Sequence, residues 1–200
     1  MPVSKKHKFK FIHIPKTGGS SIEVIFDLQH EENLFVPRFT HQIERCMFAP
    51  QHFPHSVVNT FKPECKDYFS FTIVRNPYTR IISEYIYINK NFEGRNVKNF
   101  NEGDFNDWLD KSLIKFDMDH KLPQVSFLDV PVDMVLKLEN LNQDWLKLNK
   151  RLRTNLELIH DNSSSINKQD IVNSLNKNTK SKIFNIFKED FNKFNYEHNI

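Results

Sequence analysis

Cysteine is scarce in this chain, with Cys46 and Cys65 the only two in 200 residues. Two thiols cannot build a disulfide framework, and the absence of a CxxC pair or a Cys/His cluster excludes a zinc module, leaving reduced, buried thiols as the expectation. Charge of one sign is also lacking. The 28 basic and 25 acidic side chains leave a formal charge of +3. That balance excludes a protein coating nucleic acid through its backbone phosphates, so any anion site must be local. No apolar run approaches the length of a membrane span. The opening MPVSKKHKFKFIHIPK meets proline and lysine after a short semi-apolar run, without the apolar core of a signal peptide. The expectation is a soluble, cytoplasmic chain. Repeats and linkers are missing too, and a content of 38% hydrophobic and 13% aromatic residues suits one domain spanning 1–200.

What is present is a recurring strand, turn and helix. FKFIHI, Phe9 to Ile14, is a short β-rich run closed by Pro15, as expected for a strand buried on both faces. Gly18 and Gly19 make the turn, Ser20 or Ser21 caps a helix, and Ile22, Ile25, Phe26 and Gln29 fall on one face of it. YFSFTIV, Tyr68 to Val74, repeats the pattern, running through RNP into TRIISEYIYINK. VDMVLKLE, Val132 to Glu139, is a third β-rich run before the helical LNQDWLKLNKRL. Asp104 to Leu113 reads as a short helix, and KSKIFNIFKEDFNKF as an amphipathic one whose phenylalanines belong to the core. Trp108 and Trp145 likewise read as packing residues on helical patterns. Glu31 to Pro63, Asn91 to Asp104 and HDNSSSINK read as irregular segments. Strands alternating with helices predict an α/β fold: a P-loop-like domain with a central parallel sheet flanked by helices on both faces, and ligands at the carboxyl ends of the strands.

Two motifs carry chemistry. A turn that follows a buried strand and opens a helix presents backbone N–H groups and the positive helix end, which together hold a phosphate. In PKTGGSS the glycines allow close approach, Thr17, Ser20 and Ser21 supply hydroxyls, and Lys16 is a mobile cation. The lysine precedes the glycines, so this is not the GxxxxGK[ST] loop of nucleoside triphosphatases, and no strand ends in a magnesium-binding carboxylate. In FTIVRNPYTRIISEY, Arg75 leaves a strand end, Pro77 sets the turn, and Ser83 lies eight residues beyond Arg75 on the following helix. An arginine fork with a helix-borne hydroxyl suits a second phosphate. Two anion sites imply a ligand carrying two phosphate groups.

HIPKTGGSS followed about sixty residues later by TIVRNPYTRIISEY resembles the sulfotransferase family, and most nearly its carbohydrate-type branch, which includes heparan sulfate 2-O-sulfotransferases and bacterial homologues. VLKLENL is similar to the family's third strand and IFKEDFNKFNY to its closing helix. The resemblance implies 3′-phosphoadenosine 5′-phosphosulfate as co-substrate with no metal required. Lys16, Thr17, Gly18, Gly19, Ser20 and Ser21 match the loop for the 5′-phosphosulfate, and Arg75 and Ser83 the site for the 3′-phosphate. The implied partner is an acceptor hydroxyl on a carbohydrate, with no nucleic acid involved; oligomeric state is not legible in the sequence.

Sulfuryl transfer builds charge on the bridging oxygen, which Lys16 is placed to stabilise or protonate. The acceptor hydroxyl needs a base, and a histidine between the two motifs serves in the related branch. His52 in PQHFPHS is the first candidate, His55 the second and His41 the third; Glu23 or Glu44 would serve if the base were a carboxylate. Glu23 lies on the helix face away from the apolar stripe. His13 reads as a sheet histidine, Arg80 as a surface, capping or ligand-binding arginine, and Glu139 as an exposed helix-start residue. His160, Asn162 and Ser163 lie where the family closes a loop over the nucleotide. Two rivals stay open at this level: a P-loop kinase for small molecules and a catalytically inactive nucleotide-binding protein of the same fold.

Overall fold

The computed structural model describes residues 2–28, 49–91, 100–113, 119–159 and 166–198. His41, Glu44, Cys46, His160, Asn162 and Ser163 lie outside the described residues. The chain groups into two compact units, one of residues 1–74 with 124–163, the other of 75–123 with 164–200.

The first unit holds a sheet of four strands, β1 (Val3–Ser4), β2 (Phe9–Ile12), β3 (Phe69–Val74) and β4 (Met134–Lys137), in that spatial order. β1 is an antiparallel edge, whereas β2, β3 and β4 run parallel, with Ile12 opposite Thr72 and Val74 opposite Lys137. The carboxyl ends of β2 and β3 therefore lie at the same edge of the sheet. Side chains alternate across a strand, so Phe9, Phe11, Phe71, Ile73 and Leu136 share one face. They form a core with Ile22 of α1 (Gly19–Ile25) and with Leu141, Trp145 and Leu148 of α5 (Leu141–Leu152). Full burial of each such side chain contributes about 1.5–3 kcal/mol.

Lys10 points to the other face and is buried. Its ammonium donates to Asn59 Oδ1 at 2.7 Å on α2 (His55–Phe61) and to the Lys66 carbonyl at 2.8 Å, which is how a lysine is accommodated in a strand covered on both sides. Burial pulls its pKa below the ordinary lysine value, opposed by Asp133. Helices thus cover both faces of this mostly parallel sheet, and the fold is α/β as the alternation of elements predicts.

The second unit is helical: α3 (Pro77–Asn91), α4 (Glu102–Leu113), α6 (Lys168–Ser174), α7 (Lys177–Ile186) and α8 (Lys188–Lys193). Tyr78, Ile81, Ile82, Tyr85 and Ile86 of α3 recur at helical spacing and pack with Phe105 and Leu109 of α4, Ile171 and Val172 of α6, Ile183 of α7, and Phe187 and Phe191. The expected single C-terminal helix is divided at Phe187, whose φ of −108° leaves helical geometry between α7 and α8. Trp108 packs against this core and Trp145 belongs to the first unit's core, the packing roles expected of both. No helix among the described residues is long and apolar enough to cross a membrane.

Candidate functional site

β2 delivers the chain into His13, Ile14 and the PKTGGSS turn, and the turn ends as α1 begins at Gly19. Its shape is set by local constraints. Thr17 is buried, and its hydroxyl donates to the Ile14 carbonyl at 2.8 Å, so this side chain shapes the turn itself. Gly18 has φ of +87°, a region that L side chains avoid, and a Cβ there would lie 3.0 Å from Leu138 Cδ1. Lys16 adopts φ of +66° without being glycine, a conformation costing roughly 1–2 kcal/mol that persists where surrounding structure enforces it. Ser20 is half-buried and Ser21 buried at the start of α1.

Gly19 is required for a different reason. A Cβ on it would lie 2.1 Å from His13 Cδ2 and 2.2 Å from His13 Nε2, so the His13 imidazole fills the space that any side chain would need. His13 is 4% exposed and donates from Nδ1 to Glu23 Oε1 at 2.6 Å. Glu23 is only 1% exposed, which corrects the expectation that it lies away from the packed face of α1. A buried carboxylate needs a partner, and His13 is that partner. The ring also stacks on Phe11, with centroids 5.5 Å apart.

His52 joins the same group. It closes a short 3-10 turn, Pro50–His52, and its Nδ1 lies 2.8 Å from the His13 carbonyl oxygen. A carbonyl only accepts, so Nδ1 carries the hydrogen and Nε2 is the basic nitrogen of the neutral ring. The two imidazoles meet edge to face at 4.5 Å. Of the sequence-predicted residues in this unit, the structure brings His52 to the strand exit that carries the glycine turn.

His55 is anchored elsewhere. At the start of α2, its Nδ1 donates to the Val130 carbonyl at 3.1 Å. Burial pushes its pKa below the usual histidine value, and Nε2 has no partner among the described residues.

In the second unit, Arg75 and Ser83 are both half-buried. Arg75 Nε donates to Thr79 Oγ1 at 3.0 Å, which steadies the guanidinium over the first turn of α3. Lys168, at the start of α6, has its pKa lowered by burial and by the Arg75 guanidinium, so it is a second cation near Arg75 that no motif singled out.

Arg80 is neither a surface residue nor a cap. It is 2% exposed and donates to the Leu122 carbonyl at 3.0 Å and the His120 carbonyl at 3.2 Å. Burial lowers its pKa, while the carboxylates of Asp190, Glu84 and Asp119 pull it back. Glu139 is exposed in a 3-10 turn, as expected.

Neither the His13–Glu23 pair nor the contacts around Arg80 are marked by a sequence motif. The one available signal for the first was Glu23 directly beside the core residue Ile22, a polar group at the margin of an apolar face.

A mostly parallel sheet whose strand exit opens through a glycine turn into a helix defines an α/β protein of P-loop-like architecture. The family model described as Sulfotransferase family matches residues 1–197, and the chain belongs to that family. Membership makes it a sulfuryl-transferring protein of the transferase class. Comparison with curated proteins finds no match.

Proposed function

We propose that this chain transfers the sulfuryl group of 3′-phosphoadenosine 5′-phosphosulfate to an acceptor hydroxyl, on a carbohydrate by resemblance, with a histidine as base. The observation that carries the reading is the turn itself: Gly18, exposed and held at a φ of +87° just past the exit of β2, leaves backbone open to close approach of an anion.

The donor supplies an SO3 group on a phosphate oxygen. Lys16 meets the negative charge that develops on that oxygen as its bond to sulfur breaks. Thr17 shapes the turn, and Gly18, Gly19, Ser20 and Ser21 offer backbone N–H groups and hydroxyls to the 5′ end. Arg75 and Ser83 take the 3′-phosphate, through a guanidinium already steadied by Thr79. His52 accepts the acceptor's proton at Nε2, since Nδ1 donates to the His13 carbonyl and fixes the tautomer. His55 has the same tautomer but donates to Val130, so it ranks behind His52 as base. No metal is needed for this chemistry, because no triphosphate is cleaved.

Kinetics with labelled donor test the assignment. Lys16→Ala should depress kcat while leaving nucleotide affinity within a few-fold, whereas Arg75→Ala should mainly weaken nucleotide binding. Equal effects of both variants on affinity, with kcat preserved, would remove the catalytic role given to Lys16.

A further inference from the structure

Three parts of the first unit meet at His13. Its ring lies against Gly19 of the turn, where a Cβ would come within 2.1 Å of Cδ2. Its Nδ1 donates to Glu23 Oε1 on α1 at 2.6 Å. Its carbonyl accepts the Nδ1 hydrogen of His52 at 2.8 Å, and the two imidazoles meet edge to face at 4.5 Å. The glycine turn and the base proposed above are thus keyed to one residue, through its ring and its own backbone. Residues 14–22, which include the whole turn, lie between His13 and Glu23. The bond between these two therefore clasps the turn at its base.

Packing alone does not call for such a pair. The His13 and Glu23 side chains are 5% and 2% exposed. Two buried ionisable groups lose hydration that their mutual bond only partly returns, and a well-packed apolar pair of similar volume is often at least as stable. An apolar ring at position 13 would lack any directional contact, and could slide beneath Gly19 or rotate against His52. The bond to Glu23 removes that freedom, because a short charge-assisted hydrogen bond fixes the rotation of the ring as well as its place. Glu23 also belongs to the helix whose first residues, Gly19, Ser20 and Ser21, end the turn. One contact thus ties the wall of the turn to the helix that the turn opens.

We propose that His13 and Glu23 are positioning residues of the sulfuryl transfer, a clasp that holds the donor turn and His52 in register with each other. It rests on the sulfotransferase reading and on His52 as base, both given above. In the step, the hydroxyl oxygen forms its bond to sulfur and the bond from sulfur to the phosphate oxygen breaks. The electron pair leaves with the phosphate, and the hydroxyl proton moves to His52 Nε2. Neither His13 nor Glu23 touches these atoms. The clasp sets the distance between sulfur at the turn and the nucleophile at His52, where a misplacement of about 1 Å costs about a hundredfold in rate.

The test uses the full chain with 35S-labelled 3′-phosphoadenosine 5′-phosphosulfate, following release of inorganic sulfate. Water is then the nucleophile and no acceptor needs to be known. The deciding variant is the double substitution His13→Phe with Glu23→Leu, which keeps the volume of the pair and removes its bond. Its urea midpoint should match or exceed that of wild type. Its kcat should fall about a hundredfold, while affinity for 3′-phosphoadenosine 5′-phosphate by calorimetry stays within about fivefold. Glu23→Gln retains an oxygen that accepts from His13 Nδ1, and should keep kcat within about threefold of wild type, since the clasp acts through geometry. A folded double variant with kcat within threefold of wild type overturns the proposal. So does a double variant that unfolds, because the bond would then be what the fold itself requires. Glu23→Gln as slow as the double variant overturns it too. Wild-type protein that fails to bind the nucleotide, or His52→Gln with unchanged kcat, overturns the underlying reading instead.

Discussion

Replacing Gly19 with alanine tests the account of the turn most sharply, because the ordinary expectation has the opposite sign. Alanine in place of glycine in a helix normally stabilises by up to about 1 kcal/mol. Here the new methyl would overlap three atoms of the His13 ring, at 2.1, 2.2 and 2.8 Å. The ring has little room to retreat: Nδ1 is bonded to Glu23 at 2.6 Å, Phe11 stacks on it at 5.5 Å, and His52 meets it at 4.5 Å. Overpacking of this kind costs about 1–3 kcal/mol. If the imidazole gives way, the charge-assisted bond to Glu23, worth about 1.5–3 kcal/mol, is weakened as well. The net expectation for Gly19→Ala is a destabilisation of roughly 2–4 kcal/mol. Urea unfolding followed through Trp145, which lies in the same unit, measures it. The mechanism adds a second requirement, that the same substitution in a His13→Ala background cost little, giving a coupling of at least about 1.5 kcal/mol. A Gly19→Ala protein as stable as wild type, or additive effects in the double variant, would refute the reasoning.

Lys16→Gly should separate stability from activity. Relief of the left-handed backbone, about 1–2 kcal/mol, offsets glycine's entropic cost of about 0.5–1 kcal/mol, so thermal unfolding should not fall while turnover drops about a hundredfold or more. His52→Gln should lose turnover but keep nucleotide affinity in calorimetry. Asp133 supplies a pH dependence. Burial pushes its carboxyl up, but the Ser70 hydroxyl and amide, with Lys10 and Arg151 nearby, hold it below the usual aspartate value overall. A depressed folded-state pKa stabilises above the unfolded value and is lost as pH falls through the folded one. Asp133→Asn should therefore destabilise at neutral pH, with the difference from wild type closing in acid, as denaturant midpoints across pH would record.

Much of the scaffold was legible because its signals are local. LNQDWLKLNKRL coincides with α5, and the β-rich runs contain β2, β3 and β4, since apolar periodicity and strand composition are written in consecutive residues. The elements that escaped carry little such signal. β1 is two residues long, and α2, in HSVVNTF, and α6, in KQDIVNS, each have too short an apolar pattern to register. The candidate site divides in the same way. The glycine turn and the RNP segment could be read from sequence, whereas Glu23 against His13, or Glu84 against His120, depends on how distant elements pack. Ten residues separate one pair and thirty-six the other, and no periodicity links them. Arg80 was ambiguous for the same reason: a guanidinium bonded to carbonyls some forty residues away looks, in sequence, like any arginine on a helix.

The central claim is that the chain binds a nucleotide through both a 5′ and a 3′ anion. Isothermal titration with 3′-phosphoadenosine 5′-phosphate, adenosine 5′-phosphate and ATP with magnesium tests it directly. The account predicts that the first binds without metal, and that loss of the 3′-phosphate weakens affinity at least about tenfold, the value of one charge-assisted contact. Tight binding of ATP with magnesium and none of 3′-phosphoadenosine 5′-phosphate would contradict it.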